Sequence, residues 1–364
     1  MRRIRINLLL VTIVLMAIGI VMIYSASGVY ALEKTKDSAF YLKKHLSFLL
    51  IGLLATLAAM KVDYADLRKY IKPALFASLV LLVLVLIPGI SREIGGARRW
   101  FRFIGASFQP SELAKMVLIF YLADVLERKQ PMIRSFRYGF LPPAAVLGLL
   151  VGLVLLQPDL GTAASFALVS FIMLFVAEVN LLYMVPFILA AIPVLYLLIF
   201  KVGYRRRRIV AFLDPWADPR GAGFQIIQSF VALGSGGLLG VGLGQSQQKL
   251  FYLPESHTDF IFSIIGEELG LLGTMSVVIL FVIFILQGMR IAVHAKDLFG
   301  RFLALGIVSM IALEAVINIS VTTGAIPTKG LPLPFISYGG SNLIFNMVGV
   351  GLLLNIAKDR KRLL

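Results

Sequence analysis

Ten mostly apolar stretches recur along this chain, each bounded by polar or Pro/Gly-rich breaks, and no other feature constrains the fold as much. They lie near residues 7–28, 45–60, 73–88, 110–126, 140–156, 161–178, 181–200, 263–289, 302–323 and 342–357. A helix needs about 20 apolar residues to cross roughly 30 Å of hydrocarbon, and a helix satisfies its own backbone inside lipid. Hydrophobic residues make up 59% of the 364, against about 45–50% in soluble domains. A soluble core could not enclose that much apolar surface. The sequence therefore predicts an all-α polytopic membrane protein with about ten transmembrane helices, forming a single domain over residues 1–364.

The first stretch admits a second reading. Arg2, Arg3 and Arg5 precede it and Ser25-Ala26-Ser27 closes it, as in a cleaved signal peptide, but its apolar part is longer than the usual h-region. Orientation follows from Lys and Arg in the short loops. With the N-terminus inside, the cytoplasmic segments hold Arg2, Arg3, Arg5, Lys61, Arg68, Lys69, Lys72, Arg128, Lys129, Arg134, Arg137, Arg290, Lys296, Arg301, Lys358, Arg360, Lys361 and Arg362. That is about twice the number in the short external loops, which hold Lys34, Lys36, Lys43, Lys44, Arg92, Arg98, Arg99, Arg102 and Lys329. Both termini are expected in the cytoplasm, with residues 201–262 forming a large extracytoplasmic loop between helices 7 and 8. That loop carries Arg205 to Arg208 in a row. Long loops escape the charge rule, and the run reads first as an anchor against anionic headgroups and second as a substrate contact. A basic external face suits a phosphate-bearing lipid.

Cysteine is absent, which excludes disulfides and thiolate chemistry. His45, His257 and His294 lie far apart and form no zinc-type spacing.

Four polar places at the membrane edge carry more information, because ionisable groups are costly there. In Phe108-Gln109-Pro110-Ser111-Glu112-Leu113-Ala114-Lys115, Pro110 can open a helix and Glu112 and Lys115 share one face. The pair can satisfy itself or hold an anionic head group. In Gln157-Pro158-Asp159-Leu160-Gly161-Thr162, Asp159 can cap the next helix, pair with an Arg or orient a substrate.

In the long loop, Gly223 to Leu233 reads as a short amphipathic element at the interface. The glycine cluster Gly234 to Gly244 follows no strand and lacks G-x-G-x-x-G spacing, so it is no nucleotide site. Tyr252-Leu253-Pro254-Glu255-Ser256-His257-Thr258-Asp259-Phe260 then enters a hydrophobic helix carrying Glu267 and Glu268. Thr258 or Asp259 can be its N-cap or take part in chemistry. Finally, Asn318 to Ser341 holds Thr322, Thr323, Lys329, Pro327, Pro332, Pro334 and Ser337-Tyr338-Gly339-Gly340-Ser341. It resists helix formation and is expected as a re-entrant or rigid external loop lining a cavity.

Tyr24-Ser25-Ala26-Ser27, Gly96-Ala97-Arg98-Arg99-Trp100, Gln109 to Glu112, Gln157 to Thr162, the 252–260 segment and Pro332 to Ser341 come in an order that resembles the SEDS family (shape, elongation, division and sporulation; the FtsW/RodA type) over nearly the whole chain. Tyr252-Leu253-Pro254-Glu255 and Thr328-Lys329-Gly330 look closer to the FtsW division and sporulation branch than to the elongation branch. The resemblance implies a peptidoglycan glycosyltransferase of the bacterial cytoplasmic (inner) membrane. It would polymerise lipid II, the undecaprenyl-diphosphate-linked disaccharide pentapeptide, on the outer face. Its implied partners are a class B penicillin-binding transpeptidase and other divisome or elongasome membrane proteins, with no nucleic acid.

Such a transfer is an inverting displacement at the anomeric carbon. It needs a base for the attacking 4-hydroxyl and positive charge for the leaving diphosphate. Asp259 occupies the family's catalytic aspartate position and is the candidate base. Arg98, Arg99, Lys115 and Lys329, in or beside external loops, are candidates to hold the diphosphate. Gln109, Glu112, Asp159, His257, Thr258, Ser337 and Tyr338 complete the expected substrate-binding set. No motif calls for a cofactor, although Mg²⁺ or Mn²⁺ bridging the diphosphate and a carboxylate is compatible with the chemistry. Two rival readings are a lipid II flippase, using Glu112, Lys115 and Glu314 within predicted spans, and a non-catalytic scaffold for division proteins. The distinctive acids and prolines concentrate on one side, which favours the polymerase.

Overall fold

The computed structural model describes residues 1–94, 97–103 and 106–358. Gly96, Arg360, Lys361 and Arg362 lie outside the described residues, as do the side chains of Arg92 and Arg102. The helices are α1 (Arg2–Thr35), α2 (Phe40–Lys61), α3 (Ile71–Leu84), α4 (Pro110–Arg128), α5 (Leu141–Leu156), α6 (Leu160–Val176), α7 (Leu181–Phe200), α8 (Gly203–Leu213), α9 (Phe224–Ser235), α10 (Ile261–Val293), α11 (Leu298–Thr322) and α12 (Gly340–Ile356). Each of the ten apolar stretches falls on one of them. Six are long and apolar enough to cross a membrane: α1, α2, α5 with the turn before it, α7, α10 and α11. The molecule is a multi-pass helical membrane protein.

Two expectations change. The fold is not purely helical, because β1 (Arg92–Ile94), β2 (Ala97–Phe103) and β3 (Ala106–Phe108) form an antiparallel sheet between α3 and α4. The aromatic residues of β2, Trp100, Phe101 and Phe103, favour a pleated strand, and Phe101 is buried. The 201–262 connection is not an open loop either, since α8 carries the arginine run and α9 is the expected amphipathic element.

Inside lipid no hydrophobic force pulls helices together, so close approach and interhelical hydrogen bonds must do so. Along α2 and α12, Gly351 lies against the Thr56 backbone and Gly52 against the Met347 side chain. Thr56 Oγ1 donates to Met347 O (2.9 Å), and Asn355 Nδ2 donates to Ala59 O (2.8 Å) and Met60 O (3.1 Å), satisfying carbonyls at the end of α2. In α1, Leu8, Leu15 and Ile23 are fully enclosed, so the first apolar stretch is an integral helix of the bundle. By contrast α7, with Pro186 and Pro193 inside it, buries only Met184.

At Gly270 (φ 66°, ψ −161°) α10 breaks. The N–H groups of Leu271 and Leu272 would reach Glu267 O and Glu268 O in an unbroken helix. They instead donate to Gly237 O (2.9 Å) and Leu238 O (3.2 Å), while the vacated carbonyls accept from Val241 N (2.9 Å) and Gly242 N (3.1 Å). The glycine-rich segment is thus spliced into the break, and the four backbone groups that the break frees all find partners in it.

A Cβ on Gly240 would strike Glu268 O, and one on Gly270 the backbone of Leu238 and Gly240. Both residues have positive φ. Gly240→Ala or Gly270→Ala adds strain of about 1–3 kcal/mol to that clash, and is expected to lower the thermal midpoint of the purified protein by several degrees. Unchanged melting would mean that the splice does not form.

Candidate active site

Two chain segments meet where the singled-out residues gather: 257–259, which leads into α10, and 328–338, which connects α11 to α12. Tyr338 N donates to His257 O (3.0 Å) and Ser337 Oγ to Thr258 O (2.6 Å). From α11, Asn318 Nδ2 donates to Asp259 O (2.9 Å) and Leu331 O (2.7 Å). The segments therefore run antiparallel, with the Asp259 backbone pinned. Its carboxylate makes no hydrogen bond or ion pair among the described residues, and it packs against Gly330, where a Cβ would strike Oδ2. The N-cap of α10 is Phe260, with no side-chain capping bond, and Thr258 Oγ1 turns to Glu255 Oε2 (2.7 Å). Neither Thr258 nor Asp259 is spent on capping. Burial pushes the Asp259 carboxyl up to about 7; the Glu255 and Asp159 carboxylates add to the rise and Arg208 opposes it.

The basic side chains divide by their partners. Lys329 lies against Gly161, where a Cβ would overlap its Cε and Nζ. It makes no hydrogen bond or ion pair among the described residues. Burial pulls its ammonium down to about 8; Asp159 counters this, while Lys115 and Arg99 reinforce it. Arg99, on β2, donates from Nε to Gln157 O (3.0 Å) and from Nη2 to Pro158 O (2.6 Å), with Nη1 3.6 Å from Asp159 Oδ2. Asp159 also caps α6, accepting from Thr162 N (3.1 Å) and Thr162 Oγ1 (2.9 Å). Capping and arginine pairing, alternatives in the sequence, are both present. Arg98 is the neighbour of Arg99 on the strand and so faces the other side of the sheet.

Lys115 is 1% exposed. It stands 3.1 Å from each carboxylate oxygen of Glu112 and bonds Glu314 of α11. Asn342 Nδ2 donates to Glu112 Oε2 (3.2 Å) and Glu314 Oε2 (2.9 Å), and Asn346 Nδ2 to Glu314 Oε2 (3.1 Å). The expected Glu112–Lys115 pair forms, but two carboxylates neutralise the lysine, which is not presented to a ligand. Gln109 contributes its backbone, N donating to Ser341 Oγ (3.0 Å) and tying α4 to α12.

Arg208 joins the site, in keeping with the second of the two readings of the arginine run, although the sequence did not single it out from its neighbours. It stands on α8 with Nη1 3.4 Å from Thr328 O. Within a run of four arginines nothing local marks it; helical placement separates it from its neighbours.

Glu267 and Glu268 hold the approach to the site. Glu267 accepts from Gln247 N (2.9 Å), Gln248 N (3.3 Å) and Ser246 Oγ. Lys249 Nζ donates to Glu268 Oε1 (2.8 Å) and Ser25 Oγ (3.2 Å), and Ser25 Oγ donates to Glu268 (2.7 Å). The segment leading to Asp259 is thereby fastened to α1 and α10. Removing one partner of a buried pair costs about 3–5 kcal/mol, whereas replacing both by apolar residues is often neutral. Glu268→Gln is expected to lower the thermal midpoint markedly, and Lys249→Met combined with Glu268→Leu to recover most of it. A double variant as damaged as the sum of its singles would refute the pairing.

Fold and site together define a class: a polytopic helical membrane protein with an acid and an ammonium, neither bonded among the described residues, on facing loops at one end of its bundle. The chain belongs to the FtsW/RodA/SpoVE family, described as "Cell cycle protein", whose profile matches residues 5–362. It is 48% identical to the probable peptidoglycan glycosyltransferase FtsW of Geobacter metallireducens over 97% of this chain and 94% of that one. It is 45% identical to stage V sporulation protein E of Bacillus subtilis, over 96% of each. Its fold is similar to a chain solved in "Structural coordination of polymerization and crosslinking by a peptidoglycan synthase complex" (TM-score 0.80, 33% identity, 98% of both chains). It also resembles the Thermus thermophilus rod shape determining protein RodA (TM-score 0.73, 30% identity, 98% of this chain and 97% of that one).

Proposed function

We infer that this chain is a peptidoglycan glycosyltransferase that joins lipid II units into glycan strands by inverting transfer. One observation carries the reading: a desolvated Asp259 carboxylate and a Lys329 ammonium, neither with a bonding partner among the described residues, lie on neighbouring, mutually pinned loops. The 4-hydroxyl of the acceptor sugar gives its proton to Asp259 as its oxygen bonds the anomeric carbon of the donor. The bond from that carbon to the diphosphate breaks, and undecaprenyl diphosphate leaves. A base near pH 7 suits this step, and Lys329, supported by Arg208, supplies positive charge where the leaving group gains its negative charge. Arg99 positions the Asp159 turn against which Lys329 rests.

The Asp259 end of the bundle then faces outward, with both termini in the cytoplasm and ten helices spanning the membrane; the excess of Lys and Arg at the opposite end supports that orientation. The similarity to FtsW and to a sporulation protein supports a role in division or sporulation, with a class B penicillin-binding transpeptidase as crosslinking partner. Among the described residues no group of three or more acidic or histidine side chains could hold a metal. Were a divalent cation to bind, a single carboxylate and the substrate's own phosphates would have to hold it, and it would supply positive charge to the leaving diphosphate.

The flippase reading draws on Glu112, Lys115 and Glu314. Their mutual bonds, closed by Asn342 and Asn346, turn these side chains toward one another within the buried network. The test is strand synthesis from purified lipid II in liposomes with the transpeptidase partner present. Polymer is the expected result; lipid II crossing the bilayer without polymer would establish the flippase instead.

A further inference from the structure

We propose that the rings of Tyr30, Tyr41, Phe251 and Tyr338, gathered around His257, form a platform for the sugar rings of the growing glycan strand, on the side of Asp259 away from Lys329. The proposal deepens the polymerase reading and rests on it. The Tyr41 ring centre lies 4.7 Å from that of His257, 5.2 Å from Tyr338 and 6.0 Å from Tyr30. Tyr30 lies 5.6 Å from His257 and 6.0 Å from Phe251. These rings come from α1, α2, the loop before α10 and the loop before α12. They do not form a closed core: Phe251 is 50% exposed, and Tyr30, Tyr41 and Tyr338 are only partly buried.

The antiparallel pairing of the two loops sets the direction. His257 stands opposite Tyr338 and Asp259 opposite Gly330. The ring cluster is thus joined to the acid through residues 257–259, and the acid to the lysine through Gly330. A diphosphate drawn to Lys329 leaves the sugars of the strand to extend over the rings.

The polar groups identify the ligand. The hydroxyls of Tyr41 and Tyr338 and the imidazole of His257 have no hydrogen-bond partner among the described residues. Tyr and Trp usually find a partner for their polar end once partly buried. Burial keeps the Tyr338 phenol neutral, pushed up to about 12, and lowers the His257 imidazole. These groups remain uncharged donors and acceptors at neutral pH. A pyranose in a β-1,4-linked strand presents apolar C–H faces and a polar rim of hydroxyl and acetamido groups. Flat rings with free hydroxyls at their edges complement both. A polyprenyl chain would match the ring faces and leave all three polar groups unsatisfied.

The test uses the full-length protein in nanodiscs and a lipid-free tetrasaccharide of alternating N-acetylglucosamine and N-acetylmuramic acid, with binding followed by saturation-transfer NMR. Tyr41→Leu, Phe251→Ala and Tyr338→Phe are each expected to weaken binding by about two- to tenfold and to shorten the strands made. Phe251 is half exposed, so its truncation does not endanger the fold. Equal affinity in all three variants, no fragment binding by the unsubstituted chain, or displacement of the fragment by undecaprenyl phosphate alone would overturn the platform. Binding is read without turnover, so failure of the platform and failure of the polymerase reading give separate results.

Discussion

Asp259→Asn is expected to lower strand synthesis by about 10²–10⁴-fold, the usual contribution of a general base, while leaving the protein at least as stable as the unsubstituted chain. The second half follows from the acid's surroundings. Its folded-state pKa of about 7 lies above the ordinary value of 3.8. Well below pH 4 both folded and unfolded forms are protonated and the group is neutral towards folding. As pH rises from about 4 to 7 the unfolded chain ionises first, so the fold loses stability progressively, and above 7 the full loss remains. A neutral asparagine escapes that loss. The variant should melt at the same temperature as the unsubstituted chain near pH 3 and above it at pH 8, and should still bind lipid II. An asparagine variant that melts lower at pH 8, or that polymerises normally, would remove Asp259 as the base.

The ten apolar stretches were legible because length and hydropathy are local properties, and each lies on a helix. The Asp159 cap and the Glu112–Lys115 pair were legible for a similar reason, as both are contacts between residues three apart. What escaped depends on distant partners. Lys115 and Lys329 looked equivalent, both basic and near external loops; Glu314, far along the chain, neutralises one and leaves the other alone. The glycine cluster gave a backbone signal without a destination, because nothing near Gly240 says that it will fill a break at Gly270. The small sheet escaped because residues 97–103 carry no clean apolar–polar alternation, two arginines preceding two aromatics, so only pairing with β1 and β3 reveals a strand with arginines on both faces. Arg208 was hidden in its own run until α8 gave each arginine a different direction.

Lys329→Met is expected to lower turnover by about 10²–10³-fold, the scale of losing one preorganised charge at a developing anion, with little change in melting, because the ammonium makes no bond within the described protein. Its pKa gives a sharper test. Asp259 must be ionised to accept a proton, so turnover climbs with pH through about 7. Lys329 must be protonated to stabilise the diphosphate, so turnover falls as pH passes about 8. The unsubstituted enzyme should show a narrow bell with its maximum between those values. In Lys329→Arg the guanidinium stays charged throughout the accessible range, and the alkaline limb should vanish while the acid limb stays in place, whatever rate the bulkier side chain permits beside Gly161. An alkaline limb that survives the arginine substitution would assign that proton to another group and leave Lys329 without its role at the leaving diphosphate.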